Sequence, residues 1–304
     1  MKIGVIGGSG GIAAKAYLPV YASLQAEHEF IFYSRDLTRA ETVRARYNFG
    51  KATNLLANLD RCDLVFIHVA TTVHYELAKH FLEAGVHLVM DKPVTESLTE
   101  TQELFDLAAA KNLLFVIAFN RRFIPAVREL KALPDKTFIK ITKNTLPTDK
   151  STQFALYDEF IHPLDTLIYL LDDEIIKIDT QLVSEAGHLD RAVVILQTPT
   201  TTGLASLNHR AGAFQEEFTV EAKSATKRLT DLAELETFAD YSIQTGHFHG
   251  WESTPYVRGF DQIVRASITA VQQFDGRNRE KLLAELKQER ILVSHQIINQ
   301  MLQK

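Results

Sequence analysis

Three short stretches carry residue types that can do chemistry together. The first, "GVIGGSGGIA", sets Gly8, Gly10 and Ala13 in a G-x-G-x-x-A pattern, with Ser9, Gly11 and Ile12 completing the loop. Glycines let backbone N–H groups approach a pyrophosphate closely, and a helix starting there adds a favourable dipole. The second, "LVMDKPVTES", ends an apolar run on Asp91, Lys92 and Pro93. An ammonium at that point can hydrogen-bond a substrate oxygen and a cofactor ribose, and can polarise a carbonyl by stabilising developing negative charge. Taken alone, Asp91 and Lys92 read as a surface ion pair, which is worth little. The third, "YDEFIHPLDTLIYLL", holds Asp158, His162 and Asp165. His162 can exchange a proton near neutral pH, and Asp165 or Asp158 can orient it or hold a substrate hydroxyl. Taken alone, "HPLD" reads as a helix start, with His162 as N-cap, Pro163 at the first position and Asp165 in the first turn. A helix that begins earlier and kinks at Pro163 is the other possibility.

The elements around these stretches say where they must sit. "KIGVIG", "HEFIFYS", "CDLVFIHVA", "VHLVM" and "LLFVIAFN" are near-continuous apolar runs, separated by helical patterns. That alternation marks a parallel sheet covered on both faces, so residues 1–120 are expected to form a doubly wound α/β domain. The glycine loop then follows a strand and opens a helix, "IAAKAYLPVYASL", expected to break or end near Pro19. Lys92 falls just past the carboxyl end of a strand, the edge at which open α/β sheets bind ligands. Pro93 restricts Lys92 to extended geometry, and more tightly still if their peptide bond is cis. Ser97 and Glu100 fit a capping box for the next helix. From residue 121 to 304 the pattern changes. "TFIKITKNT", "IIKIDTQLVS", "RAVVILQTPT", "TGLASLNHR" and "FTVEAKSATKRLT" alternate polar and apolar residues, and the tail from Tyr256 is helical. An α+β domain with an open, mostly antiparallel sheet is expected there.

The end of the second strand bears on the choice of dinucleotide. NAD binders usually carry Asp or Glu about 20 residues beyond the glycines, to hold the ribose 2′-hydroxyl. Here Ser34 takes that position, Arg35 follows, and Arg39 is a further candidate. A hydroxyl with arginine suits a 2′-phosphate, so NADP is favoured over NAD. Asp36 is the alternative ribose ligand, and Ser34 and Asp36 fit equally as caps of the next helix. Thr71 and His74, after the third strand, are candidates near the nicotinamide, and His74 fits a helix cap as well. His68 reads as a core histidine inside its strand. Asn120, Arg121 and Arg122 stand where the two domains join, where Asn120 and Arg122 can reach substrate and the arginines can also serve as ion pairs.

Composition narrows the classes. Net charge is -5, which argues against nonspecific binding to nucleic acid or an anionic membrane. The single cysteine, Cys62, allows no internal disulfide and reads as a small core residue, which suits a reducing cytoplasm. "MKIGVIGG" is too short an apolar run for a secretory signal, and no run approaches the ~18 apolar residues of a membrane span. His247 and His249 in "GHFHGW" have no carboxylate or cysteine at ligand spacing, so a loop packed on Trp251 is expected and no metal site.

The glycine loop, "DKP" and "DEFIHPLD", in that order, resemble the Gfo/Idh/MocA family of nicotinamide-dependent oxidoreductases over nearly the whole chain. "IHVATTVHYE", "DKP" and "FNRRFIP" resemble its MviM-like branch more specifically. The family's usual first motif is Glu-Lys-Pro, where this chain has Asp91, and Phe160 stands where the second motif usually has glycine. "ATTVH" also replaces the usual Thr-Pro-Asn. The resemblance implies a Rossmann domain and a second domain whose open sheet often forms the subunit interface, as a homodimer or homotetramer. It implies hydride transfer between nicotinamide and a sugar, polyol or related hydroxy or keto compound. Lys92, His162 and Asp165 are the expected catalytic residues, Lys92, Asn120, Arg122, Asp158, His162 and Asp165 the expected substrate contacts, and Asp91 and Lys92 expected cofactor contacts alongside the glycine loop. Glycoside cleavage or epimerisation with retained cofactor, and a dinucleotide-binding sensor, are the competing readings.

Overall fold

The structure, a computed structural model, describes residues 1–8, 10–247 and 251–303. Strands β1 (Lys2–Ile6), β2 (Glu29–Tyr33), β3 (Lys51–Thr53), β4 (Leu64–Ile67), β5 (His87–Met90) and β6 (Phe115–Ile117) form the first sheet. Strands β7 (Lys136–Asn144), β8 (Lys177–Glu185), β9 (His188–Gln197), β10 (Thr202–Asn208), β11 (Gln215–Ala222), β12 (Thr226–Thr230), β13 (Glu234–Ala239) and β14 (Ser242–His247) form the second. The helices are α1 (Leu18–Leu24), α2 (Leu37–Tyr47), α3 (His74–Glu83), α4 (Leu98–Ala110), α5 (Pro125–Ala132), α6 (Thr152–Ala155), α7 (Ile161–Leu170), α8 (Thr254–Val257), α9 (Phe260–Gln273), α10 (Arg279–Glu285) and α11 (Ile291–Leu302).

The first sheet runs β3-β2-β1-β4-β5-β6, with every pair parallel. Ile3, Val5, Val65, Phe66, Leu88 and Val89 are wholly buried, so both faces are covered, as the unbroken apolar runs require. The short edge strand β3, "KAT", had no apolar run to announce it. The second sheet runs β14-β13-β12-β11-β7-β10-β9-β8 and is antiparallel except for the β7–β10 pair. On one face Ile139, Ile141, Val194, Leu196, Ala205, Leu207, Phe218 and Val220 are wholly buried, and α7 packs there with Leu164 and Leu167. Residues of the alternate register, among them Phe138, Ile195 and Leu204, are half-exposed.

The chain divides into two compact units, Met1–Asn120 with Thr254–Glu289, and Arg121–Ser253 with Arg290–Lys304. The expected second domain, 121–304, is therefore not one continuous stretch, because Thr254–Glu289 belongs with the first unit. Specific contacts hold it there. Phe260 of α9 meets the ring of Tyr17 edge-on at 5.0 Å, Arg279 Nε donates to Leu113 O at 2.8 Å, and Gln288 Oε1 accepts from Ile117 N at 2.8 Å. No helix is long and apolar enough to cross a membrane among the described residues.

The helix expected to break or end near Pro19 continues through it, and the helix expected to start or kink at Pro163 begins earlier. A π-helical turn, Ala13–Tyr17, runs directly into α1 with Pro19 in its first turn. A second, Leu156–Phe160, runs into α7, where Pro163 is the third residue. Proline offers no N–H to the carbonyl four residues back and crowds it. In each case that carbonyl, of Lys15 or Glu159, lies inside a π turn whose first carbonyl bonds five residues on, Ala13 O from Leu18 N and Leu156 O from Ile161 N. His162 is thus inside a continuous helix and is not its N-cap.

Candidate functional site

In the first unit the site is built at the carboxyl edge of the parallel sheet. Gly7 has φ +88°, and a Cβ there would lie 2.0 Å from His68 O, so only glycine lets the loop after β1 rest on the loop after β4. Gly10 and Gly11 face the other way. A Cβ on either would meet nothing within 4 Å, and both are exposed beside Ile12, which is 54% exposed. Open space over glycines at a helix start is the cradle a pyrophosphate needs. Gly8 lines a cavity of about 270 Å³ with Arg39, Thr42 and Arg46. It also lines a narrower cleft with Ser34 and Arg39. Ser34 follows β2 directly, Arg35 is exposed, and Asp36 caps α2 by accepting from Thr38 N at 2.9 Å. The residues present therefore fit a dinucleotide, with a hydroxyl and arginines, and no free carboxylate at the strand end, in the cleft beside Gly8. Thr42 and Arg46 were not foreseen. Their signal was helical spacing from Arg39. Ser9 lies outside the described residues.

Around Lys92 the geometry is denser than the sequence suggested. Lys92 is half-buried and its bond to Pro93 is cis. Asp91 Oδ1 accepts from Tyr17 OH at 2.7 Å, and Asp91 Oδ2 faces His68 Nδ1 at 3.0 Å. His68 Nε2 in turn meets Tyr21 OH at 2.7 Å. Burial would raise the Asp91 carboxyl, but His68, Tyr17 and His74 outweigh it and hold it below its ordinary value. Burial, then the Asp91 charge, pushes both tyrosine hydroxyls well above their ordinary range. His68 lies one residue beyond β4, not within it, and is a member of this network rather than a passive core histidine. His74 is 1% exposed, and its ring nitrogens stand 2.9 Å from Pro93 O and 3.1 Å from Val69 O. It ties two main-chain loops together, and burial lowers its pKa. Thr71 is half-buried in a 3₁₀ turn before α3. Asn120 Nδ2 donates to Arg258 O at 2.9 Å. Cys62 is buried and its thiol is pushed up to about 11, chiefly by burial, which suits packing.

In the second unit the π turn Leu156–Phe160 carries Asp158 and leads into His162. His162 is half-buried, and its Nδ1 is buried without a hydrogen-bond partner among the described residues. Asp158 is 4.0 Å from Lys150 Nζ. Glu159 accepts from Lys150 Nζ at 2.6 Å and faces His209 Nε2 at 3.1 Å; His209 leads the effects that lower its carboxyl to about 2. Phe160, in the place of a glycine in the resembled motif, is wholly buried and closes the turn. Asp165 is 1% exposed, and Arg122 donates to it twice, Nε to Oδ2 at 2.9 Å and Nη2 to Oδ1 at 2.7 Å. Burial raises the Asp165 carboxyl, and the guanidinium draws it back. In this arrangement Arg122 and Asp165 engage one another. Arg121 pairs with Glu216 of β11 at 2.5 Å.

His247 ends β14, while Phe248, His249 and Gly250 lie outside the described residues. Trp251 is 99% exposed, so the expected packing over its ring is not formed. No group of three or more His, Cys, Asp or Glu able to hold a metal occurs among the described residues.

Residues 1–119 match the Gfo/Idh/MocA profile, described as an oxidoreductase family with an NAD-binding Rossmann fold. The oxidoreductase-family protein YceM of Salmonella typhimurium is 30% identical over 276 residues, 90% of this chain and 90% of that protein. A Gfo/Idh/MocA family oxidoreductase from Vibrio cholerae superposes with a TM-score of 0.87 at 26% identity, covering 100% of both chains. The dehydrogenase MviM from Clostridium difficile superposes with a TM-score of 0.83 at 26% identity, covering 95% of this chain and 98% of its own. A glycine cradle at the sheet edge, Lys92 on the same edge and these likenesses converge: the chain belongs to the Gfo/Idh/MocA family of oxidoreductases, with an NAD-binding Rossmann fold.

Proposed function

We propose that this protein is a nicotinamide-dependent dehydrogenase acting on the CH–OH group of a sugar, polyol or related compound. The observation that supports it most is the carboxyl edge of the first sheet, where the open glycine loop after β1 and Lys92 after β5 stand one strand apart. When bound, the nicotinamide supplies the hydride acceptor or donor. Lys92 is the oxygen-polarising group: its charge stabilises the oxygen as carbon gives up or receives hydride. His162, half-buried near the start of α7, is the proton donor or acceptor for that oxygen. Asp158 is the carboxylate that orients His162 or holds a substrate hydroxyl, its side chain being 40% exposed. Asp165 and Arg122 act as positioning residues that set the pitch of α7. Turnover across a panel of sugars and polyols, read from nicotinamide absorbance, tests the reading. No turnover from any member, with dinucleotide binding intact, would leave a binding protein instead.

NADP is the proposed cofactor, because Ser34, Arg39 and Arg46 offer a hydroxyl and guanidinium groups beside Gly8. Arg39→Ala is expected to weaken NADP binding by about tenfold while NAD binding changes less than about twofold, since one charge-assisted contact is worth about 1.5–3 kcal/mol. Equal losses for both dinucleotides would assign Arg39 no part in 2′-phosphate recognition. We further propose a cytoplasmic homodimer or homotetramer joined through the sheet face that bears Phe138, Ile195 and Leu204, where Leu204 and Ile195 are directly paired.

A further inference from the structure

The network around Asp91 has no part in the chemistry assigned to Lys92, yet both oxygens of its carboxylate are engaged. Its donors come from separate elements. Tyr17 belongs to the π turn opened by the glycine loop, and His68 opens the loop after β4 on which Gly7 rests. Tyr17 and Tyr21 are 0% exposed, and the Tyr17 and His68 rings lie 4.0 Å apart. A proton wire is a poor description of this arrangement, because burial and the Asp91 charge hold both hydroxyls protonated far above neutral pH. What the arrangement does supply is fixed geometry. Both oxygens of one carboxylate are pinned by donors on two elements, and the residue next in the chain is Lys92. Asp91 N also donates to Ile67 O at 3.1 Å, which fixes the main chain at the same point.

We propose that Asp91, clamped between Tyr17 and His68, is a positioning residue that holds Lys92 in register with the glycine loop. This rests on the reading of Lys92 as the oxygen-polarising group. The clamp is specific to aspartate. With donors at 2.7 and 3.0 Å on two separate, buried residues, one added methylene cannot keep both oxygens in place.

The test combines Tyr17→Phe and Asp91→Glu with Lys92→Ala in a double-mutant cycle. Tyr17→Phe and Asp91→Glu, each alone, are expected to lower kcat by about 10- to 100-fold, the worth of a hydrogen bond to a charged group. Dinucleotide Kd should stay within about threefold, and in the Lys92→Ala background neither change should cost more than about twofold again. Undiminished kcat, a loss that appears in dinucleotide Kd, or an equal loss without Lys92 would overturn the proposal. Amide exchange at Asp91, Lys92 and Val94, measured with no substrate present, is expected to quicken by about tenfold or more in Tyr17→Phe. Unchanged exchange overturns the clamp whether or not the protein turns over. Quickened exchange in a protein without nicotinamide turnover would keep the clamp and defeat only the dehydrogenase reading.

Discussion

Lys92→Ala is expected to lower kcat by about 100- to 1,000-fold while dinucleotide affinity stays within about threefold. The size follows from what one aimed donor is worth where charge develops in a partly dehydrated site. Lys92 is half-buried at the carboxyl end of β5, so its ammonium acts at lower dielectric than a surface lysine. The selectivity for kcat follows from where the dinucleotide is proposed to be held, on main-chain N–H around the open Gly10 and Gly11, which the substitution does not touch. A reaction limited by product release would show a smaller loss in kcat than in single-turnover rate, so both are to be measured. Full single-turnover activity in Lys92→Ala would remove the lysine from the chemistry.

Asp165→Asn is expected to destabilise the protein by about 3–5 kcal/mol, measured by urea unfolding. The cost comes from Arg122, whose guanidinium would remain 1% exposed without its counter-charge. Arg122 also stands 5.4 Å from the centre of the Tyr169 ring, so it cannot swing to water without disturbing α7. The double variant Arg122→Met with Asp165→Leu should recover most of that loss, because matched apolar groups need no pairing. A loss under about 1 kcal/mol in Asp165→Asn would show that Arg122 finds another acceptor, and the positioning role of the pair would fall with it.

How much was legible beforehand depended on whether the signal was local. β1, β4 and β5 are solid apolar runs, and each was readable because a strand buried on both faces needs no contrast with a polar side. β3, and the hairpin β13–β14, gave no such signal: they are short, or their residues are mostly half-exposed. "FTVEAKSATKRLT" read as one strand but folds as β11 and β12, with the turn supplied by Lys223, Ser224 and Ala225. Pro19 looked like a helix break, and Pro163 like a helix start or a kink, because proline's cost is reckoned against α geometry. A π turn upstream removes that cost, and nothing in a local pattern announces one. Lys92 and His162 were singled out as candidates by motif order. The partnership of Tyr17 and His68 with Asp91 was not, since it joins residues 74 and 23 positions apart. Asp165 was visible as an acid near His162, but its pairing with Arg122, 43 positions away, had no signature in sequence.

The most direct measurement is deuterium transfer from a sugar or polyol labelled at the reacting carbon to nicotinamide C4, followed by NMR on the protein with NADP or NAD. The account expects label at one face of C4 for at least one substrate class, with the rate reduced about 100-fold or more in Lys92→Ala. Absence of label at C4 from every member of the panel, while the dinucleotide still binds, would contradict it.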